Sequence, residues 1–203
     1  MSRYTEAKEK AHQLIKDFAL SIPVQVFELA KRLGIDWKGC TASEMSKIVT
    51  DKLGMERQDP EFSNWEEVLG FFDNEGNTFY INQENQPITR VRFTLAHEIG
   101  HLQLHRSKGK NHFRQITLLE DIFRPHAKEE IEANYFAGYL LMPDSAIEQK
   151  LVYSELMPPG EYMIREFAKI FGVSAEAMRI RFKTFKEEHP DIWKKYRMSE
   201  KLF

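Results

Sequence analysis

The sequence predicts an α+β fold, mostly helical, with a small β-hairpin placed immediately before a long helix. Three observations carry this expectation. His97, Glu98 and His101 sit inside an apolar run from Phe93 to Leu104 that suits a buried helix. Two segments rich in aromatic and aliphatic residues, Val68 to Phe72 and Thr78 to Ile81, flank Asp73-Asn-Glu-Gly-Asn77, a turn composition that favours a hairpin. A further helical stretch from Ala127 to Leu141 brings carboxylates in its first turn.

In chain order, Ala7, Ala11, Leu14, Ile15 and Phe18 give helical periodicity over about residues 4 to 20. A second helix follows Ile22-Pro23 through Val26, Leu29, Ala30 and Leu33 and stops at Gly34. Residues 37 to 65 are less regular: Ala42 to Leu53 fits a helix, and the stretch from Gln58 to Asn64 reads as a loop. The hairpin then leads into the long helix, which starts near Pro87 and Thr89 and ends at Lys108-Gly109-Lys110. A charged connection runs through to Pro125, and Pro143 closes the next helix. Two short helices separated by Gly172-Val-Ser174 follow, with Ser174 as N-cap. The expected organisation is a core over 1–150 that includes the N-terminal helices, and a C-terminal helical segment over 151–203 with helix-turn-helix spacing, packed on that core.

Composition narrows the function classes. A net charge of −2 with both signs interspersed gives no global footprint for nucleic acid or an anionic membrane. One cysteine, Cys40, excludes an internal disulfide framework and a cysteine-rich zinc site, and suits a packing role in a reducing compartment. The first ten residues are charged and lack an apolar segment, and no uncharged run reaches membrane-spanning length, so the expected location is cytoplasmic.

The spacing at 97–101 is the chemically specific feature. On a helix, positions i and i+4 share a face, so His97 and His101 can hold one zinc ion while Glu98 stands beside it as general base. The bland alternative is a surface helix with two solvated histidines, which the apolar surroundings disfavour because buried histidines without partners are costly. A catalytic zinc of this kind needs one more protein ligand. Glu130, Ala133, Asn134, Ala137 and Leu141 share a stripe whose small residues allow close packing, so Glu130 is the favoured third ligand, with Glu132 second and Glu129 third. Asn134 is placed to hydrogen-bond a ligating histidine from behind. His105 is not a third ligand, since three successive turns of one straight helix spread over about 12 Å; it supports the site from outside the metal's own ligands. His12, His112, His126 and His189 have no motif around them and read as surface residues.

The segments Arg90-Val-Arg-Phe-Thr-Leu-Ala-His-Glu-Ile-Gly-His-Leu-Gln-Leu-His105 and Glu130-Ile-Glu-Ala-Asn-Tyr-Phe-Ala-Gly-Tyr-Leu-Leu-Met-Pro143 resemble the two signature segments of the ImmA/IrrE family of bacterial and phage metallopeptidases. The strand Thr78 to Asn82 matches the usual lead-in, and the resemblance covers roughly residues 10 to 185. It implies a zincin-like fold, one Zn²⁺ held by His97, His101 and a glutamate that position makes Glu130, and Glu98 as base. It also implies a protein substrate of the helix-turn-helix repressor type, whose cleavage derepresses phage-like or stress genes, in some cases within a toxin–antitoxin-like pairing. Residues 40 to 66 and the tail after 186 match nothing in that pattern. Tyr135, Tyr139, His105 and Arg92 are the candidates for stabilising an oxyanion. The strand at Thr78 to Asn82 is the expected place for an extended substrate to pair by β-augmentation.

Two other readings compete. Ala168 to Ser174, followed by Met178 and Arg181, has helix-turn-helix spacing, and residues 179 to 201 hold eight Lys/Arg against four acids, which allows a DNA-binding module. Helices that simply close a core want the same small residues, and this is the preferred account. The other is a non-catalytic or weakly catalytic protein that works by sequestering a repressor or toxin partner. Oligomeric state is not legible.

Overall fold

A computed structural model describes residues 4–53, 69–73, 76–84, 86–105, 114–116, 128–152 and 160–195. The chain forms two compact units, Val26–Asn134 and a second made from Met1–Gln25 with Tyr135–Phe203. The sequence pattern divides the chain at 150. The units instead part inside a helix, between Asn134 and Tyr135.

The Val26–Asn134 unit is mixed. Helix α1 (Thr5–Asp17) belongs to the other unit; here the order is α2 (Val26–Arg32), β1 (Asp36–Cys40), α3 (Ala42–Leu53), β2 (Gly70–Asp73), β3 (Thr78–Asn82), α4 (Ile88–His105), β4 (Arg114–Ile116) and the first half of α5 (Lys128–Leu141). Gly34, with φ +75°, ends α2 in the left-handed conformation that glycine adopts without penalty. Thr41 and Glu44 then form a capping box: the Thr41 backbone N–H donates to Glu44 Oε2 at 2.8 Å, and the Glu44 N–H donates to Thr41 Oγ1 at 3.1 Å. The expected helix from Ala42 to Leu53 therefore starts at a recognisable signal.

The expected hairpin is present and is half of a four-stranded sheet ordered β1-β3-β2-β4. β2 and β3 run antiparallel, with Gly70 opposite Ile81 and Asp73 opposite Thr78. The turn works as its composition suggests: Asp73 Oδ1 accepts from the Gly76 N–H at 3.1 Å, and Asn77 takes φ 45°. At Gly70 an added Cβ would lie 2.7 Å from the Tyr80 carbonyl oxygen, so the strand pair closes only around a glycine.

Two strands were not expected. β1 pairs in parallel with β3, from Asp36 against Thr78 to Cys40 against Asn82, and β4 lies within the charged connection that follows α4, pairing antiparallel with β2. Their presence corrects the role given to β3. It is the strand between β1 and β2, buried along its whole length, so both its hydrogen-bonding edges are used and it offers none to a substrate. The loop expected over 58–64 and the end of α4 near Lys108 lie outside the described residues.

The other unit is helical among its described residues: α1, the second half of α5, α6 (Asp144–Leu151), α7 (Glu161–Phe171), α8 (Ala175–Glu188) and α9 (Pro190–Lys195). Its core is phenylalanine-rich, with Phe136, Phe167, Phe171, Phe182 and Phe185 fully buried and Phe167 meeting Phe182 edge-on at 5.1 Å. Helix α6, directly after Pro143, was not expected. The α7–α8 turn was: Gly172 takes φ 64°, and Ser174 Oγ accepts from the Ala177 N–H at 3.1 Å. Among the described residues no helix is long and apolar enough to cross a membrane.

Candidate metal centre

Every residue of α4 from Thr94 to His101 is buried, so the motif does not lie on a wetted face. His97 is 2% exposed and Glu98 3%, which makes the arrangement of their polar atoms decisive. Helical spacing brings the two imidazoles together, with His101 Nε2 2.9 Å from His97 Nε2. From the first turn of α5, Glu130 Oε2 reaches to 3.2 Å from His97 Nε2 and 3.4 Å from His101 Nε2. These three atoms form a nearly equilateral triangle. A tetrahedral ion with bonds of about 2.0–2.1 Å holds its donor atoms roughly 3.3 Å apart, so the triangle has the dimensions of one face of such a site.

The donor chemistry fits as well. Asn134 Oδ1 lies 2.7 Å from His97 Nδ1. An amide oxygen only accepts, so His97 carries its proton on Nδ1 and turns a bare Nε2 lone pair toward the triangle. A carboxylate oxygen and a second imidazole nitrogen converge on the same point, and a cation there resolves the repulsion between facing lone pairs. His97, Glu98 and His101 have ligand atoms within 4.8 Å of one another, with Glu98 Oε1 3.8 Å from His97 Nε2, beside the triangle.

Sequence reasoning placed Glu130 ahead of Glu132 and Glu129. The structure turns Glu132 elsewhere, with Oε1 3.3 Å from Lys128 Nζ and Oε2 3.6 Å from His105 Nε2. His105 continues the histidine stripe, its ring 5.5 Å from that of His101. Of the oxyanion candidates, Tyr135 stacks on Tyr4 at 3.7 Å and Tyr139 donates its hydroxyl to Glu188 Oε1 at 2.5 Å, so both are committed to packing in the helical unit. Arg92 is buried in α4, and that burial lowers its pKa. Cys40 is the packing residue expected: burial pushes its thiol up to about 11, too high for a reactive thiolate.

Sequence reasoning missed one charged cluster in the helical unit. Lys8 Nζ lies 2.6 Å from Asp144 Oδ2 and 2.9 Å from Glu188 Oε2. Arg181 also bonds Asp144, and His189 Nε2 stands 3.1 Å from the same carboxylate, so His189 is not the surface residue expected. His12 likewise packs edge-on to the Tyr139 ring at 6.2 Å. Asp144, Glu188 and His189 have the spacing of metal ligands. Lys8 and Arg181 already supply the cations, which makes the cluster an ion-pair network. His112 and His126 lie outside the described residues.

Comparison with known proteins agrees with the geometry. The chain is 36% identical over 114 residues to the radiation response metalloprotease IrrE of Deinococcus radiodurans, covering 53% of this chain and 31% of that protein. It is 29% identical over 116 residues to the uncharacterized immunity region protein 2 of Bacillus phage phi105, covering 57% of this chain and 66% of that one. A solved structure described as a Mycobacterium tuberculosis transcriptional regulator shares the fold, with a TM-score of 0.53 over 87% of this chain and 46% of that chain at 15% identity. The chain thus spans less than two thirds of each of these proteins. A family model described as Peptidase_M78, IrrE N-terminal-like domain, matches residues 50–183, a span that holds His97, Glu98, His101, Glu130 and Asn134. The chain belongs to this family, the ImmA/IrrE peptidases.

Proposed function

We propose that the protein is a zinc-dependent endopeptidase of zincin-like fold, with His97, His101 and Glu130 as the metal ligands and Glu98 as general base. The single observation that carries this is the triangle of His97 Nε2, His101 Nε2 and Glu130 Oε2, with edges of 2.9, 3.2 and 3.4 Å. Zinc held there supplies Lewis acidity that polarises a scissile carbonyl and acidifies water. The chain's own residues do the rest. Glu98, buried beside the triangle, accepts the proton of the attacking water on its carboxylate and delivers it to the leaving amine nitrogen. Asn134 holds His97 in the tautomer that leaves Nε2 free to ligate.

The substrate we propose is a helix-turn-helix repressor, whose cleavage would release the genes it silences. Support comes from the family membership and from the similarity to a phage immunity-region protein. A DNA-binding role for α7 and α8 is less well supported, because the arginines a reading helix would present are committed. Arg181 is 4% exposed and bonds the Met142 carbonyl oxygen and Asp144, and Arg179 is paired with Glu161 and Glu176.

The test is metal content of the purified protein beside Glu130→Ala and Glu132→Ala variants. Stoichiometric zinc in the wild type and in Glu132→Ala, lost from Glu130→Ala, is the expected result. Incubation with a helix-turn-helix repressor, chosen from a neighbouring gene where one is encoded there, should then give cleavage that a chelator stops. Absence of zinc from the wild type would overturn the metal reading, and an intact repressor beside zinc-loaded protein would overturn the substrate.

A further inference from the structure

Three histidines on one stripe of α4 meet three side chains of α5. His97 meets Asn134 and Glu130, and His101 meets Glu130, all within the metal centre. His105 meets Glu132, and neither residue has a role in the chemistry above. His105 is nonetheless held inside the protein, its side chain 10% exposed, and among the described residues its Nε2 makes no hydrogen bond. The Glu132 carboxylate, 3.6 Å away, is the acceptor that this buried nitrogen faces.

The location of the pair gives it a task. Glu130 is the third residue of α5, and its side chain is 27% exposed where those of His97 and His101 are 2% and 7%. The third corner of the triangle is therefore the most exposed of the three, where local opening is cheapest. His105 is the last described residue of α4. Glu132 joins the two helices, with Oε2 facing His105 and Oε1 facing Lys128 one turn back on α5.

We propose that His105 and Glu132 form a positioning pair that pins the first turn of α5 to α4 at His105 and so keeps the Glu130 carboxylate at the two histidines. The inference rests on the metal centre assigned above. Neither residue touches the ion. Their effect is on how firmly it is held, in the range that partners behind metal ligands command.

His105→Ala would remove a largely enclosed ring and leave a cavity, so Glu132→Ala, at a side chain 21% exposed, carries the test. Zinc affinity is measured by chelator competition, the Co²⁺ absorption spectrum reports ligand geometry, and thermal melting of the metal-free protein reports stability alone. The expected result is zinc binding weakened about tenfold in Glu132→Ala, near-wild-type affinity in Glu132→Gln, whose amide oxygen keeps an acceptor facing His105, and an unchanged melting midpoint without metal. Combining Glu132→Ala with His105→Gln should weaken binding no further, since the two residues act through one contact.

Affinity in Glu132→Ala equal to wild type would overturn the proposal, as would a Gln variant no better than Ala, a further drop in the double variant, or a melting midpoint that falls without metal. Each of these leaves the metal centre standing. Wild-type protein that binds no zinc is the separate outcome that removes the centre and the positioning pair together.

Discussion

Asn134 Oδ1 lies 2.7 Å from His97 Nδ1, which fixes the imidazole's proton on the side away from Glu130 and His101. The contact joins α4 to α5 directly behind a donor atom. Asn134→Ala should therefore weaken zinc binding by about 10–100-fold while leaving the ligands in place. Asn134→Asp keeps an acceptor oxygen and should fall well short of that loss. Chelator competition on the two variants checks this; equal affinities for Ala and wild type would show that the contact does not tune the metal.

Glu98→Gln separates binding from chemistry. The amide is nearly isosteric and cannot take a proton, so zinc content should stay stoichiometric while turnover falls by about 10²–10⁴-fold. Repressor cleavage followed by gel electrophoresis gives the rate, and metal analysis on the same preparation gives the occupancy. A repressor silenced in cells by the Glu98→Gln variant as well as by wild type would point to sequestration in place of cleavage.

Much of the site was legible because its geometry is local. His97 and His101 are four residues apart on one helix, and Glu130 and Asn134 are four apart on another, so periodicity alone placed each pair on a face. The sheet was only half legible. β2 and β3 are joined by a short turn with strong chemistry, whereas β1 finds its partner β3 some 40 residues on, in a register the local pattern does not encode. Asp36-Trp-Lys-Gly-Cys40 is mostly exposed and lacks alternation, and β4 has three residues. The Thr41–Glu44 capping box is a local signal that marks the start of α3 in the sequence itself. The Lys8–Glu188 pair, 180 residues apart, left no trace that a single sequence can show.

Asp144 gives a pH dependence with a definite sign. Burial alone would raise its carboxyl pKa, but Arg181, Lys8 and His189 outweigh burial and hold it at about 2, against 3.8 for the free group. A lowered carboxyl pKa stabilises the fold fully above pH 3.8, and that stabilisation is lost as the pH falls through about 2. The amount is on the order of 2 kcal/mol. Urea unfolding at pH 6 and pH 2.5 should show Asp144→Asn losing less on acidification than wild type. Identical losses would mean that Asp144 is not held by its cations.

Duplex DNA should not be a ligand. With Arg181 buried and Arg179 paired to two glutamates, α8 offers little to a phosphate backbone. Fluorescence anisotropy with a 20-base-pair duplex is expected to show no binding tighter than the roughly 10⁻⁶–10⁻⁴ M of non-specific association. A tighter, salt-dependent isotherm would restore the helix-turn-helix reading.

The parting of the units inside α5 has a consequence for synthesis on the ribosome. Val26–Asn134 is contiguous and contains His97, Glu98, His101, Glu130 and Asn134, so every residue assigned to the metal centre has been made once Asn134 is added. The helical unit is discontinuous, and Lys8 must wait for Asp144 and then Glu188 before its two ion pairs can close. Because domains fold as units from the N-terminal side, the metal centre is the part of this protein that can be assembled while the chain is still growing.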